Sequence, residues 1–202
     1  MVRSSVGAAT FLSNSAKPWS TLPVREAGSQ ARTEMKSIIT TPRLVLREFA
    51  MEDAPALYEL NSDPEVMKYT GDSPFASVKE AEDFVRGYAH YRDYGYGRWS
   101  VVLRETGEFI GWCGLKFNEL GQVDIGFRFF RKDWGKGYAT ESARAALAYG
   151  FGELKMEEII GRAAKANTAS IHVLEKLGME YWKEDTCKGI EDSAYYRIKR
   201  PV

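Results

Sequence analysis

From Thr41 onward, hydrophobic and polar positions fall into legible periods. Residues 43–49 read as a strand, and a helical segment follows near 53–60. Ser77-Val-Lys-Glu80 has the form of a capping box, in which hydroxyl and carboxylate each meet a free backbone N–H. It predicts one helix carrying Ala81, Phe84, Val85, Tyr88 and Tyr91 at three- and four-residue spacing, broken at Gly95 and Gly97. Three strands come next, over 98–104, 108–117 and 122–130, joined by short turns. In the third, Val123, Ile125, Phe127 and Phe129 alternate with Asp124, Gly126 and Arg128, a clean period of two. A long helix over about 135–149, a strand over 157–163 and a helix over 168–177 stopped by Gly178 follow. Strands near 181–188 and 194–200 read as a terminal hairpin.

The strand–helix–strand crossover over 122–163 requires two parallel strands, whereas the strands before it form an antiparallel meander. The expected fold class is therefore α/β (α+β), with a mixed, mostly antiparallel central sheet flanked by helices. Residues 1–34 differ: they are rich in Ser, Ala and Thr and have no sustained period. Such a stretch buries too little apolar surface to offset its ordering entropy. It reads as a disordered leader, or as a start placed too early with Met35 the real beginning. Its Ser and Arg content also fits an organelle transit peptide. The domain division expected is a leader over 1–37 and a folded domain over 38–202.

Composition narrows the function. The 28 basic and 28 acidic side chains cancel, so the chain lacks the basic excess of a nucleic-acid binder. Its apolar runs fall far short of the ~20 residues that span a bilayer. Two cysteines, Cys113 and Cys187, without a CxxC make neither a disulfide framework nor a redox motif, and with only two histidines no metal centre is expected. Both cysteines read as reduced packing residues of a cytoplasmic protein. A monomer or homodimer is expected, without nucleic acid, membrane or metal.

The candidate chemistry lies in Phe130-Arg-Lys-Asp-Trp-Gly-Lys-Gly-Tyr-Ala-Thr-Glu141. Gly135 and Gly137 fall where a helix begins, and a helix start leaves four N–H groups free beside a partial positive charge. Without a Cβ in the way, a phosphate can approach those groups, and Lys132 and Lys136 add positive charge. Two linked phosphates suit the turn better than a carboxylate. It is neither a dinucleotide fingerprint nor a P-loop, because Thr140 stands where a third glycine would and Gly-Lys-Ser/Thr is absent. Thirty residues on, Asn167-Thr-Ala-Ser-Ile-His-Val-Leu-Glu-Lys-Leu-Gly-Met179 opens a second helix. Asn167 is also simply a good N-cap, and Ile171, Leu174 and Leu177 a core stripe.

Together, in this order, WGKGYATES and NTASIHVLEKLGM resemble the GNAT superfamily of acetyl-CoA-dependent N-acetyltransferases. The likeness is greatest to the branch that acetylates N-termini of ribosomal proteins, which Thr41-Pro-Arg-Leu-Val-Leu-Arg47 and Asn61-Ser-Asp-Pro-Glu-Val66 also resemble. It covers about residues 38–200. The resemblance implies a GNAT-like fold in which the strands 122–130 and 157–163 splay apart. The pantetheine arm of acetyl-CoA would enter the gap and pair with backbone near Phe127–Phe130, including Phe129 and Phe130. The pyrophosphate would lie on the amides from Trp134 through Gly135, Lys136 and Gly137 to Tyr138 and Ala139, and Asn167 would bond the pantetheine.

The implied reaction passes acetyl to an amine acceptor, a protein N-terminal α-amine first and a small amine such as an antibiotic, a polyamine or an amino acid second. An acyl-CoA-binding module without turnover is a further alternative. Many family members place a Tyr seven residues after the Asn as proton donor to the thiol; here Leu174 stands there. Ser170, the nearest hydroxyl, is assigned as thiolate donor, with a local backbone bond as its other reading. Asp124 is the candidate base, with Glu191 and Asp192 as rivals, and Glu141 is structural. Tyr88, Tyr91, Tyr94, Tyr96 and Trp99 read mainly as core, with an acceptor pocket as the other use. A weak base suits an α-amine of pKa near ~8 better than a lysine near ~10.4, whose deprotonation at neutral pH costs about 4 kcal/mol.

Overall fold

A computed structural model describes residues 37–201. The leader expected over 1–37 lies outside them except for Ser37, which already belongs to a strand. In chain order the elements are β1 (Ser37–Thr40), β2 (Leu44–Arg47), α1 (Ala54–Ser62), α2 (Pro64–Met67), α3 (Val78–Arg86) and α4 (His90–Tyr94). There follow β3 (Arg98–Leu103), β4 (Phe109–Phe117), β5 (Val123–Phe129), α5 (Tyr138–Gly152), β6 (Glu158–Ala164), α6 (Thr168–Lys176), β7 (Glu180–Cys187) and β8 (Ile190–Lys199). The eight strands form one sheet in the order β1-β2-β3-β4-β5-β6-β8-β7. All neighbours are antiparallel except β5 and β6, as the crossover requires.

Period two places Ile125 and Phe129 of β5 on one face, where they join Trp99, Ala143, Ala146 and Leu147 in the core under α5. Asp124, Gly126 and Arg128 point to the opposite face, toward α1 and the loop after α2. At the sheet's other end, buried Asp53 accepts from both guanidinium nitrogens of Arg47 (2.6 and 2.7 Å), the Ser100 hydroxyl (2.6 Å) and the Ala50 amide (2.9 Å). That charged knot fixes the chain's entry into α1.

Three expectations change. The helix predicted from Ser77 is two helices, because the chain turns at Gly87 and restarts at His90. The Ser77 hydroxyl accepts from the Glu80 amide (3.2 Å), but the Glu80 carboxylate reaches back to the Ala76 amide, so the box is displaced by one residue. The terminal hairpin turns on two residues, Lys188 and Gly189, both at positive φ (48° and 78°), so β8 starts at Ile190. No helix among the described residues is long and apolar enough to cross a membrane.

Candidate active site

β5 and β6 pair only at Asp124–Ile160 and Ile125–Gly161, then diverge. The Phe130 amide donates to Ile110 of β4 (3.2 Å), so by strand alternation the backbone groups of Phe127 and Phe129 face the opening gap. The Phe129 carbonyl there is taken by the Trp134 indole N–H (2.8 Å). The edge left open is therefore the N–H and C=O of Phe127 and the N–H of Phe129. Phe130, expected to belong to that edge, turns its amide away from it.

The glycine turn is displaced from its predicted place. α5 starts at Tyr138, with Gly137 as N-cap at φ 81°, and Gly135 precedes it at φ 73°. Both lie in the left-handed region that a side chain resists by about 1–2 kcal/mol. The Trp134 amide donates to Arg131 (3.1 Å), which removes it from the expected anion-binding run. The amides of Gly135, Lys136, Gly137, Tyr138, Ala139 and Thr140 make no backbone bond among the described residues, and the first bond of the helix is Glu141 to Gly137 (3.0 Å). Nothing lies within 4 Å of where a Cβ on Gly135 would stand. An open, unbroken run of N–H groups at the start of a fifteen-residue helix suits an extended anion.

The two lysines are less free than their sequence positions suggest. Lys132 pairs with Glu108, and Lys136 with Asp133 (2.9 Å). The cation beside the turn is instead Arg43, which carries no signal of its own in the sequence. Its guanidinium donates to the Lys136 carbonyl (3.0 Å) and to Glu141 (2.6 Å) and lies over the Tyr138 ring (4.6 Å). Glu141 also accepts from the Thr41 hydroxyl (2.7 Å). Burial raises the Glu141 carboxyl, but Thr41 and Arg43 outweigh it and hold the group below its usual range. Glu141 thus ties the β1–β2 turn to the first turn of α5.

A cleft below the splay brings together Asp124, Asn167 and Ser170, with Leu174 in its wall. The Asn167 side-chain oxygen caps α6 by accepting from the Ser170 amide (3.1 Å), which leaves its NH2 group to donate elsewhere. The Ser170 hydroxyl makes no hydrogen bond among the described residues. Asp124 is 3% exposed, not solvated, and each of its oxygens accepts from an arginine, Arg98 on one side and Arg162 on the other. With a guanidinium on each oxygen, the carboxylate presents neither of them freely to an amine, which favours a positioning role over that of general base. Glu191 and Asp192 are exposed on β8 and line no part of the cleft.

Arg98 lies flat over β5 because Gly126 has no side chain; a Cβ there would stand 2.7 Å from the guanidinium carbon. Burial lowers the Arg162 guanidinium's proton affinity, yet Asp124 and Glu119 outweigh it and the group is firmly charged. Arg128 donates to Asn61 and to Asp72 (2.7 Å). Lys188, at the hairpin tip, takes the other Asp72 oxygen and closes the cleft's rim. Of the aromatic group, Tyr88 and Tyr91 use their hydroxyls on the backbone of Arg98, and Trp99 packs edge-on to Tyr149. Those rings are structural. Cys113 is buried, its thiol pushed up to about 12 by burial, and Cys187 borders the cleft with its thiol raised for the same reason. Among the described residues, no group of three or more His, Cys, Asp or Glu is placed to hold a metal.

Known proteins resemble this chain in sequence and fold. A family model described as an acetyltransferase (GNAT) domain matches residues 43–180. The chain is 37% identical over 143 residues to the uncharacterized N-acetyltransferase p20 of Bacillus licheniformis, covering 69% of this chain and 80% of that one. It is similar to the crystal structure of a GNAT-family acetyltransferase from Bacillus anthracis, with 34% identity, a TM-score of 0.68, and 80% and 98% of the two chains covered. The fold also matches a spermidine N-acetyltransferase from Vibrio cholerae in complex with CoA and spermine, at 23% identity and a TM-score of 0.68, covering 79% and 97%.

Proposed function

This chain belongs to the GNAT family and is an N-acetyltransferase, and from that premise we propose that it moves acetyl from acetyl-CoA to a primary α-amine. The observation that carries the cofactor assignment is the junction of two features: a parallel strand pair that opens after Ile125, and free amides from Gly135 to Thr140 at the head of α5. The pantetheine arm would take the place of a strand beside Phe127 and Phe129, with the diphosphate on the amides and Arg43 alongside. GNAT acetyltransferases use acetyl-CoA, and the Vibrio cholerae neighbour is bound to CoA.

In this proposal the Asn167 NH2 group bonds the pantetheine, and Ser170 donates to the departing thiolate. The Phe127 or Phe129 N–H on the open edge polarises the acetyl carbonyl, as an oxyanion donor does. Asp124 acts as the carboxylate that positions Arg98 and Arg162. With that carboxylate tied up, an amine already partly neutral at pH 7 is favoured over a lysine, which supports an α-amine acceptor such as a protein N-terminus. Thiol release from acetyl-CoA across a panel of amines tests the proposal. Turnover with α-amines above ε-amines supports it, and turnover confined to ε-amines overturns the acceptor assignment.

A further inference from the structure

On the acetyltransferase reading the amine enters the cleft below the splay, whose charged wall is on the face of the sheet that carries Asp124, Gly126 and Arg128, opposite α5. Its charged lining is unbalanced: Arg98, Arg128, Arg162 and Lys188 stand against Asp72 and Asp124. Each carboxylate oxygen already accepts from a cationic side chain. Asp124 has one oxygen on Arg98 and the other on Arg162; Asp72 has one on Arg128 and the other on Lys188. A second ammonium on the acceptor would therefore find no unpaired carboxylate in this lining. It would also face four cationic side chains, of which Arg162 alone has a further carboxylate partner outside the lining, Glu119 (2.7 Å).

The surplus extends to the neighbouring strand position. Lys116 of β4, cross-strand from Asp124, has no ion pair among the described residues. Burial first, and then repulsion from Arg98 and Lys188, hold its ammonium below the usual lysine range. The cleft is also narrow at the rim, where the backbone of Gly71 lies against Lys188. An acceptor would thus pass within reach of the Lys188 ammonium, which is 43% exposed and has donors left after its bond to Asp72.

We propose that the acceptor bears a carboxylate close to the amine that is acetylated, and that Lys188 at the cleft rim receives it. This rests on the acetyltransferase reading and deepens it by naming the acceptor class. The chemistry is shared by a peptide N-terminus with an acidic second residue and by a free amino acid, whose α-carboxylate adjoins its amine. Polyamines, which carry only positive charge, are excluded from the class even though a fold neighbour acts on one.

The test uses the full chain, acetyl-CoA, and short peptides that share an α-amine and differ only at the second residue: Glu, Gln or Lys. Free glutamate, free glutamine and spermidine complete the panel. The expected order of kcat/KM is Glu over Gln over Lys, by about tenfold per unit of charge, as one charge-assisted bond gained or lost implies. Peptides outrunning glutamate would identify the source as a chain N-terminus, and the reverse would identify a free amino acid; either supports the class. Lys188→Gln should reduce the Glu-over-Gln preference about tenfold through KM, and Lys188→Arg should restore it. Equal rates for Glu, Gln and Lys peptides, a preference for spermidine, or an unchanged preference in Lys188→Gln would each overturn the proposal. If acetyl-CoA protects the protein from melting yet no amine reacts, the acceptor proposal falls while the cofactor assignment stands. If acetyl-CoA gives no protection, the cofactor assignment itself falls.

Discussion

Asp124→Asn separates two roles for the best-buried acid of the cleft. The substitution keeps the side chain's shape and one acceptor oxygen but removes the charge that sits between Arg98 and Arg162. Removing one partner from a buried ion pair costs about 3–5 kcal/mol, because the remaining charge is left uncompensated. The low end applies here. Arg98 also donates to the Gly114 and Asp124 carbonyls, and Arg162 retains Glu119 (2.7 Å), so neither guanidinium is stranded. A loss of about 3 kcal/mol corresponds to a fall in Tm of about 6–12 °C for a domain of this size. Thermal melts of the two proteins, with and without acetyl-CoA, read the stability; a pH–rate profile reads the chemistry. The positioning role predicts a lowered Tm and a profile whose limbs stay at the same pH while the rate falls. A Tm within about 2 °C of wild type, together with loss of the limb that reports deprotonation, would return Asp124 to the role of base.

Two further outcomes follow from the same geometry. Ser170→Ala should lower kcat more than it weakens acetyl-CoA binding, since the hydroxyl is free among the described residues and is assigned to the leaving thiolate; equal turnover would remove it from the mechanism. Glu141 has its carboxyl depressed below the ordinary 4.5 in the folded state, so its contribution to stability is present above about pH 4.5 and is lost as pH falls through the depressed value. The Tm difference between wild type and Glu141→Gln should accordingly be steady at neutral pH and shrink below about pH 4.5. A difference that stays constant into acid would show that Thr41 and Arg43 do not hold the charge.

The sequence made some of this legible and not the rest, for physical reasons. Local periodicity exposes β5, because each of its residues alternates between a packed and a polar face. The glycine turn is likewise readable, since only Gly occupies left-handed backbone cheaply before a helix. Helical spacing runs on through Tyr88 and Tyr91, so nothing in the period marks the break at Gly87; both tyrosines face inward to bond Arg98, Tyr88 from the linker and Tyr91 from α4. β1 is only four residues long and too short to display a period. The cleft's charge network is invisible locally because its pairs join residues far apart in the chain, Asp124 with Arg98 and Arg162, Asp72 with Arg128 and Lys188. For the same reason Arg43 reads as an ordinary strand residue until the fold sets it beside Gly137.

If the amides after Trp134 grip the diphosphate of the acetyl donor, calorimetric titration of the full chain with acetyl-CoA must register it. Wild type should take up the cofactor with one-to-one stoichiometry, whereas Gly137→Val should bind at least about tenfold more weakly, or about 1.4 kcal/mol, because its side chain both strains the N-cap and crowds Arg43, whose guanidinium is 3.4 Å from where the Cβ would stand. No heat of binding in the wild type, or the same affinity in a folded Gly137→Val protein, would contradict the claim.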